Sequence, residues 1–392
     1  MKKLLTAMLL SAGVSVAYAQ SSVSVYGLLD VGYVGSNQQL TSTAGAAKTK
    51  TQISQFGQSA ETTSRLGFKG NEDLGGGASA FFTAEFQMYP EDQNLSGSSN
   101  SGLLNRQTFV GVKQTGIGST AVGRQYTPIF SAAAKTSTGQ FNNVSGDVIF
   151  LGSSSGGAGT STATTITGQE NGIGFTNRAS NSLTFQTDSY KGFTANVMYQ
   201  LNNKNTTQTA ASTGGETNSN GYGISVDYTL DKLLVNAARQ SFTQFTTGTA
   251  TAFSDVNTGT FVSAKDVQNY AGATYDFGIV KAYAQYLSRT ITSTLDSSQF
   301  AKRSAQQIGV RGNIRSNIDA WLSVGNGKFD QYGSTNGSVS FTGYQVGSNY
   351  YLSKRTNLYG IFGSTQSSGD QQTTAGAGSS KNMYAAGIRH AF

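Results

Sequence analysis

Cysteine is absent from the 392 residues, proline occurs twice, and tryptophan and histidine occur once each. The missing cysteine excludes a disulfide framework, a thiolate nucleophile and any cysteine metal site. The single histidine, His390, makes no histidine cluster for a metal, and it falls on the outward parity of an alternating final strand, away from any Ser/His or Asp/His pair for an enzyme site. Charge is also thin: 12% of residues are charged and 37% are hydrophobic, a poor basis for the two or three dense cores a chain of this length could hold. After the first twenty residues no apolar run is long enough for a transmembrane helix. Phosphate-binding loops are missing too, since Gly156-Gly-Ala-Gly159 has no Gly-Lys-Ser/Thr after it and Gly327-Lys328 is followed by Phe329. The adjacent carboxylates Glu72-Asp73 and Glu91-Asp92 project to opposite sides of an extended chain, which suits turn capping better than acid–base chemistry. No cofactor and no nucleic-acid partner is expected.

What is present is glycine, 49 residues, with 19 tyrosines and 22 phenylalanines. Aromatic, glycine-rich and nearly proline-free chains suit long paired strands, because proline removes a ladder donor and aromatic rings pack on pleated surfaces. Lys2-Lys3, the apolar run Leu4 to Val16 and Ala17-Tyr18-Ala19 read as a secretory signal occupying residues 1–19, with the mature domain spanning 20–392. Loss of the two lysines lowers the formal net charge of +7 by two.

From Ser22 the pattern has period two. Val23, Val25, Gly27, Leu29 and Val31 form one face, and Ser24, Tyr26, Asp30 and Gly32 the other. Phe193 to Leu201 and Tyr222 to Leu230 alternate in the same way. Short turns near 74–77, 115–118, 189–192, 230–232, 276–278, 314–317 and 352–355 alternate with long polar stretches near 36–63, 89–102, 129–176, 202–219, 245–264, 292–301, 330–338 and 366–379. Seven turns and eight loops imply sixteen strands, the even number of a bacterial transmembrane barrel with short turns on one rim and long loops on the other. A soluble sandwich or propeller would also hide one face of each strand. The wet faces, however, carry Arg, Lys, Asp, Gln and Asn in strand after strand, and the two rims differ in character. Closure leaves no strand edge in lipid, and sixteen strands leave an aqueous channel. The fold class expected is therefore an all-β, sixteen-stranded antiparallel barrel, into which the long insert of about 129–176 folds and narrows the lumen.

Parity points Arg65 and Lys69 into the lumen, opposite Leu66 and Phe68, and assigns Tyr26 and Asp30 to the wet face of the first strand. The last strand, Tyr384 to Phe392, ends in an aromatic residue suited to the periplasmic interface, with His390 on the lipid-facing parity.

The segments Ser22-Val-Ser-Val-Tyr-Gly-Leu-Leu-Asp30, Ser64-Arg-Leu-Gly-Phe-Lys-Gly-Asn-Glu-Asp-Leu-Gly-Gly-Gly77, Asn105-Arg-Gln-Thr-Phe-Val-Gly-Val112, Gly123-Arg-Gln-Tyr-Thr-Pro128 and Gly387-Ile-Arg-His-Ala-Phe392 together resemble the general porins of Gram-negative bacteria, especially the betaproteobacterial branch. The resemblance covers the mature chain in order. It implies a homotrimer of barrels in the outer membrane, in contact with its lipid and lipopolysaccharide, each with its third outer loop folded inward. It also implies that Phe392 is read by the barrel-assembly machinery. Ala391 departs from the basic residue many relatives carry there. By similarity, Arg65, Arg106 and Arg124 match the arginine ladder facing the third loop; Lys69 and Arg178 are further lumen-lining candidates outside that match. Gly146-Asp147-Val-Ile-Phe150 resembles the inward-folded segment, making Asp147 the carboxylate opposite the ladder and leaving Glu170 at the loop's exit.

The function implied is passive diffusion of ions and small hydrophilic solutes with a mild preference for anions. One unit charge about 7 Å from an ion in water is worth roughly 0.6 kcal/mol before screening, so a small excess of arginines shifts selectivity by a factor of several. The competing readings are a substrate-specific channel with Tyr26 or Tyr359 as a binding track, and a surface adhesin acting through its Ser/Thr-rich loops.

Overall fold

The computed structural model describes residues 22–41, 48–95, 102–150, 169–171, 174–206, 215–246, 263–331, 338–368 and 378–392. The proposed signal segment and its cleavage point lie outside these residues, as does the middle of the long insert. The first strands are β1 (Ser22–Thr41), β2 (Lys48–Gln58), β3 (Arg65–Gly75), β4 (Ala78–Gln87), β5 (Leu104–Gln114) and β6 (Gly118–Tyr126). The insert follows, with helix α1 (Pro128–Thr136) and the short β7 (Gln169–Asn171). The wall resumes with β8 (Thr176–Thr187), β9 (Phe193–Thr206), β10 (Gly215–Leu230), β11 (Leu233–Thr246), β12 (Ala264–Asp276) and β13 (Val280–Ser293). It is completed by β14 (Phe300–Arg315), β15 (Ile318–Gln331), β16 (Val339–Tyr351), β17 (Thr356–Ser367) and β18 (Ser379–Ala391).

Neighbouring strands pair antiparallel all the way round, and β18 pairs with β1 to close the sheet. Both β2 and β3 run along the same flank of β1, β2 against Val31–Thr41 and β3 against Ser22–Leu28, so they are two halves of one wall strand. Since β7 pairs only with β8, beside the insert, the wall has sixteen strands. All seven short turns fall where sequence spacing puts them. The first polar stretch does not: β1 runs to Thr41 and β2 begins at Lys48, so much of 36–63 is a tall hairpin rather than a loop. Its polar residues carry the period-two backbone beyond the apolar zone, where hydropathy no longer marks a strand.

The outer surface follows the alternation. Val23, Val25, Val110, Val112, Val122, Val197, Leu201, Ile308, Val324 and Val346 are exposed on it. A continuous apolar face of this extent is incompatible with water and suits lipid. Aromatic pairs bracket it. Near the short turns Phe193 stacks on Tyr228 with centroids 4.4 Å apart and Tyr275 meets Phe277 at 4.7 Å. Further up, Tyr33 meets Tyr384 and Tyr344 meets Phe362, each at 6.1 Å. On β16 the two levels, Tyr344 and Tyr350, are roughly six residues or ~20 Å of strand apart. No helix among the described residues is long and apolar enough to cross a membrane. The membrane is crossed by strands.

Phe392 lies at the lower aromatic level, 43% exposed, beside the exposed His390, whose Nδ1 is 2.9 Å from Thr356 Oγ1. Its backbone N–H donates to Gly27 O at 3.1 Å and its carbonyl accepts from Gly27 N–H at 3.2 Å, completing the β1–β18 seam. The ring lies across Gly27, where a Cβ would collide with it. Deleting Phe392 is expected to remove this last rung and lower the yield of heat-resistant folded barrel. Heat-modifiable electrophoretic mobility measures that yield, which should fall well below that of Phe392→Tyr.

Candidate functional site

The insert enters the lumen on a local signal that periodicity alone conceals. Thr127 is extended and its Oγ1 accepts from Phe130 N–H, while Pro128 occupies the first helical turn, where no backbone donor is needed. Ile129, Ala132, Ala133 and Thr136 form the buried face of α1. The strand-poor segment therefore opens with a helix, pinned by Lys135 Nζ on Asp227 at 2.6 Å and by Asn236 Nδ2 donating to Ala132 O at 2.8 Å.

From α1 to Phe150 the insert rests on the inner wall, and wall glutamines satisfy its backbone. Gln240 Oε1 accepts from Ile129 N–H and Gln307 Oε1 from Val148 N–H at 2.9 Å, while Gln268 Oε1 accepts from Thr176 N–H at 2.8 Å, where the chain rejoins the wall at β8. Gln345 exchanges two hydrogen bonds with the Asn142 side chain and donates to Val144 O at 3.0 Å. Gly343 and Gly363 let the chain come close, because a Cβ at either would meet Gly146 O or Ser145 O. On the opposite flank residues 59–64, between β2 and β3, turn inward from the wall. Ser59, with φ of 60°, and Ser64 bond each other and the Asp30 backbone, and Asn143 Nδ2 donates to Ser59 O at 2.7 Å.

Four arginines converge on the gap left between this insert and the wall. Arg65 follows the inward turn, its Nε donating to Thr63 O at 3.0 Å and its Nη1 3.8 Å from Glu85. Arg106 Nε donates to Glu85 Oε1 at 2.8 Å and its Nη2 to Tyr126 Oη at 3.0 Å. Strict alternation would send Arg106 outward with the exposed Val110 and Val112. The β4–β5 register slips at Glu85/Phe86, and this bulge turns Arg106 inward. Arg178 donates to Tyr126 Oη at 3.2 Å and to Glu170 Oε1, and its guanidinium lies 4.7 Å from the Tyr126 ring centroid. Arg124 stands behind these. Its Nε meets Asn105 O, its Nη1 Ser180 Oγ and its Nη2 Glu170 Oε2 at 2.8 Å.

The expectation for Asp147 does not hold. It faces none of Arg65, Arg106 and Arg124: it is 4% exposed against the far wall, where Oδ1 accepts from Ile149 N–H at 2.8 Å and Phe150 N–H at 2.9 Å. It caps a turn, and burial pushes its carboxyl above the ordinary carboxylate range despite those two donors. Glu170, assigned from sequence to the loop's exit, is the insert carboxylate that meets arginines. Burial alone would raise it, but Arg178 and Arg124 hold it below the ordinary range. Asp30 is also displaced from the expected role. It lies on the inner parity but is fully buried, accepting from Tyr359 Oη at 2.6 Å and Thr62 N–H at 2.6 Å, so neither Asp30 nor Tyr359 lines open lumen. Tyr26 is on the lumen side, its hydroxyl donating to Glu85 at 3.2 Å, with Lys69 Nζ 5.4 Å from its ring centroid.

Glu85, Tyr126, Phe130, Phe141 and Phe150 complete the site and escaped the sequence reading. Glu85 had a signal, a lone carboxylate on the parity of Phe81 and Thr83 in an alternating strand. The phenylalanines had none, because only the path of the insert brings them together. The gap is about 310 Å3 and is lined by Arg65, Arg106 and Arg178 together with Phe130, Phe141 and Phe150, the two groups joined through Tyr126, on which Phe130 stacks.

A closed sixteen-stranded barrel with an apolar outer band, a charged lumen and an inward-folded third loop is an outer-membrane channel. The chain belongs to the Gram-negative porin family, whose profile matches residues 5–370. It is 27% identical over 408 residues to outer membrane porin protein 32 of Delftia acidovorans, covering all of both chains. It is 26% identical to an outer membrane porin protein of Bordetella pertussis, over 91% of this chain and 92% of that one. Among solved structures, the anion-selective porin from Comamonas acidovorans superposes with a TM-score of 0.68 at 22% identity, over 95% of this chain and 100% of that one. The trimer form of OmpT from Vibrio cholerae gives a TM-score of 0.58 at 14% identity, over 95% and 99%. The protein is thus an outer-membrane porin, a channel and not an enzyme.

Glu170→Gln is expected to remove a charge and leave one acceptor oxygen, enough for only one of Arg124 and Arg178, which now donate to separate carboxylate oxygens; the uncompensated positive charge should raise anion selectivity by up to about twofold. Asp147→Asn retains the Oδ1 acceptor in the turn and should leave selectivity within error of the parent. Reversal potentials in planar bilayers distinguish the two variants.

Proposed function

We propose that this porin is a passive diffusion channel for ions and small hydrophilic solutes with a mild preference for anions, and that its constriction is the gap beside Arg65, Arg106 and Arg178, with Arg124 holding Glu170 behind it. The observation that carries this reading is the local charge count. Among the described residues at the gap, four guanidiniums meet two carboxylates, Glu85 and Glu170. The excess of two positive charges equals that expected from three arginines and one aspartate, but different residues supply it. Lys69 and Tyr26 lie along the lumen below the gap. The name of the Comamonas structure, an anion-selective porin, points the same way.

The trimer form recorded for a structural neighbour supports a homotrimer here. The signal of residues 1–19 would direct export and be cleaved after Ala19, and assembly would use Phe392 as the residue read by the barrel-assembly machinery. The apolar outer band would then contact outer-membrane lipid and lipopolysaccharide. Under a salt gradient the reversal potential is expected to take the sign of chloride permeation. Arg65→Gln and Arg106→Gln should each lower the anion-to-cation permeability ratio by up to about twofold. A clear cation potential from the unaltered protein sinks the assignment.

A further inference from the structure

Beside the arginines the gap is lined by aromatic rings, and the insert brings it little free charge. Of the insert's described charges, Lys135 is paired with Asp227, Asp147 is buried in its turn, and Glu170 is held by Arg124 and Arg178. The buried side of the insert is filled by Ile129, Ala132, Ala133, Val148 and Ile149, while Phe130, Phe141 and Phe150 remain only partly buried and border the gap. Phe130 is parallel to Tyr126 at 4.0 Å and Phe141 stacks on Phe150 at 4.3 Å, with 5.2 Å between Phe130 and Phe141. The four rings form a continuous face beside the guanidiniums.

Backbone strain supports the same placement independently. Gln140 and Phe141 are consecutive non-glycine residues in the left-handed region, φ 56° and 58°, a costly conformation that orients the Phe141 ring. Ser137 Oγ steadies that turn by accepting from Phe141 N–H at 3.2 Å. Phe141 also packs against the buried core of the insert with Phe130 and Phe150, so the same turn holds the ring between that core and the gap.

We propose that the gap is a transient binding site for single-ring aromatic carboxylates. The carboxylate is received by Arg65 and Arg106, and the ring lies against Phe130, Phe141 and Phe150. This rests on the anion-preferring reading above and adds a solute class to it. A planar guanidinium suits a carboxylate, and ring pairs favour offset or edge-on contact. A volume of about 310 Å3, near the lower end of ligand pockets, admits one ring with some water. Occupancy must remain brief, because conduction requires a site that solutes leave as readily as they enter.

The test is chloride current through the unaltered porin in planar bilayers, titrated separately with benzoate, cyclohexanecarboxylate and acetate. Benzoate is expected to reduce the current saturably, at concentrations about three- to tenfold below those of the other two acids. Phe141→Leu and Phe150→Leu, which keep apolar volume, should each narrow that difference to within about twofold. Equal block by the three acids, or an undiminished benzoate preference in both folded variants, overturns the proposal. Reversal potential in the same membranes separates the two readings. An anion potential with equal block removes the aromatic site and leaves the diffusion reading standing, whereas a cation potential removes both. Should either variant fail to insert, the three-acid comparison on the unaltered protein still decides.

Discussion

Backbone hydrogen bonding inside the lumen is the constraint on which the site depends. A strand in the wall finds its partners in its two neighbours, but a segment that leaves the wall carries its N–H and C=O groups into a space with no adjacent strand. Here they are met by side chains of the wall, above all glutamines, whose amides donate and accept from one position. Gln240, Gln268, Gln307 and Gln345 are each almost fully buried by the chain they support. Glutamine in a transmembrane strand usually suggests a wet surface, but here it serves as a bracket. Glycines supply the other half of the arrangement by letting the two backbones approach.

With the insert held, the charges at the gap follow from irregularities in the strands. The inward turn at 59–64 sets Arg65 at the start of β3, a bulge turns Arg106 inward, and the β6–β8 ladder slips between Gly123 and Gln125, next to Arg124. Regular alternation would have turned Arg106 outward with Val110 and Val112, and Arg124 outward with Val122. The bulges gather them on one side, where Glu85 and Glu170 neutralise half of their charge, and Tyr126 joins Arg106 to Arg178 through its hydroxyl. Partial neutralisation keeps the guanidiniums ordered without erasing the field.

The barrel was legible in the chain because its rules are short-range: period two, turn residues at the short connections, and alternating connection lengths. Parity sufficed for Arg65, Lys69 and Tyr26. It failed where the geometry is long-range or irregular. No spacing rule tells that Asp147 caps its own turn while Glu170, near the far end of the insert, reaches Arg124 and Arg178. Nor does alternation identify Arg106 as inward, since the bulge that reorients it is a property of the β4–β5 pair. The helix at Pro128 was available from Thr127-Pro128 and the spacing of Ile129, Ala132, Ala133 and Thr136, but strand periodicity on both sides masked it.

The bracketing glutamines also set an order of events. Asn142 and Gln345 are separated by 203 residues, and Val148 and Gln307 by 159, so the insert cannot find its supports until β14 and β16 are in the wall. Contacts of such separation come late in folding. The stretch from Asn142 to Val148 can therefore be bracketed only once those two strands stand in the wall, and a chain cut short before β14 would carry the narrowing segment without the side chains that hold it in place.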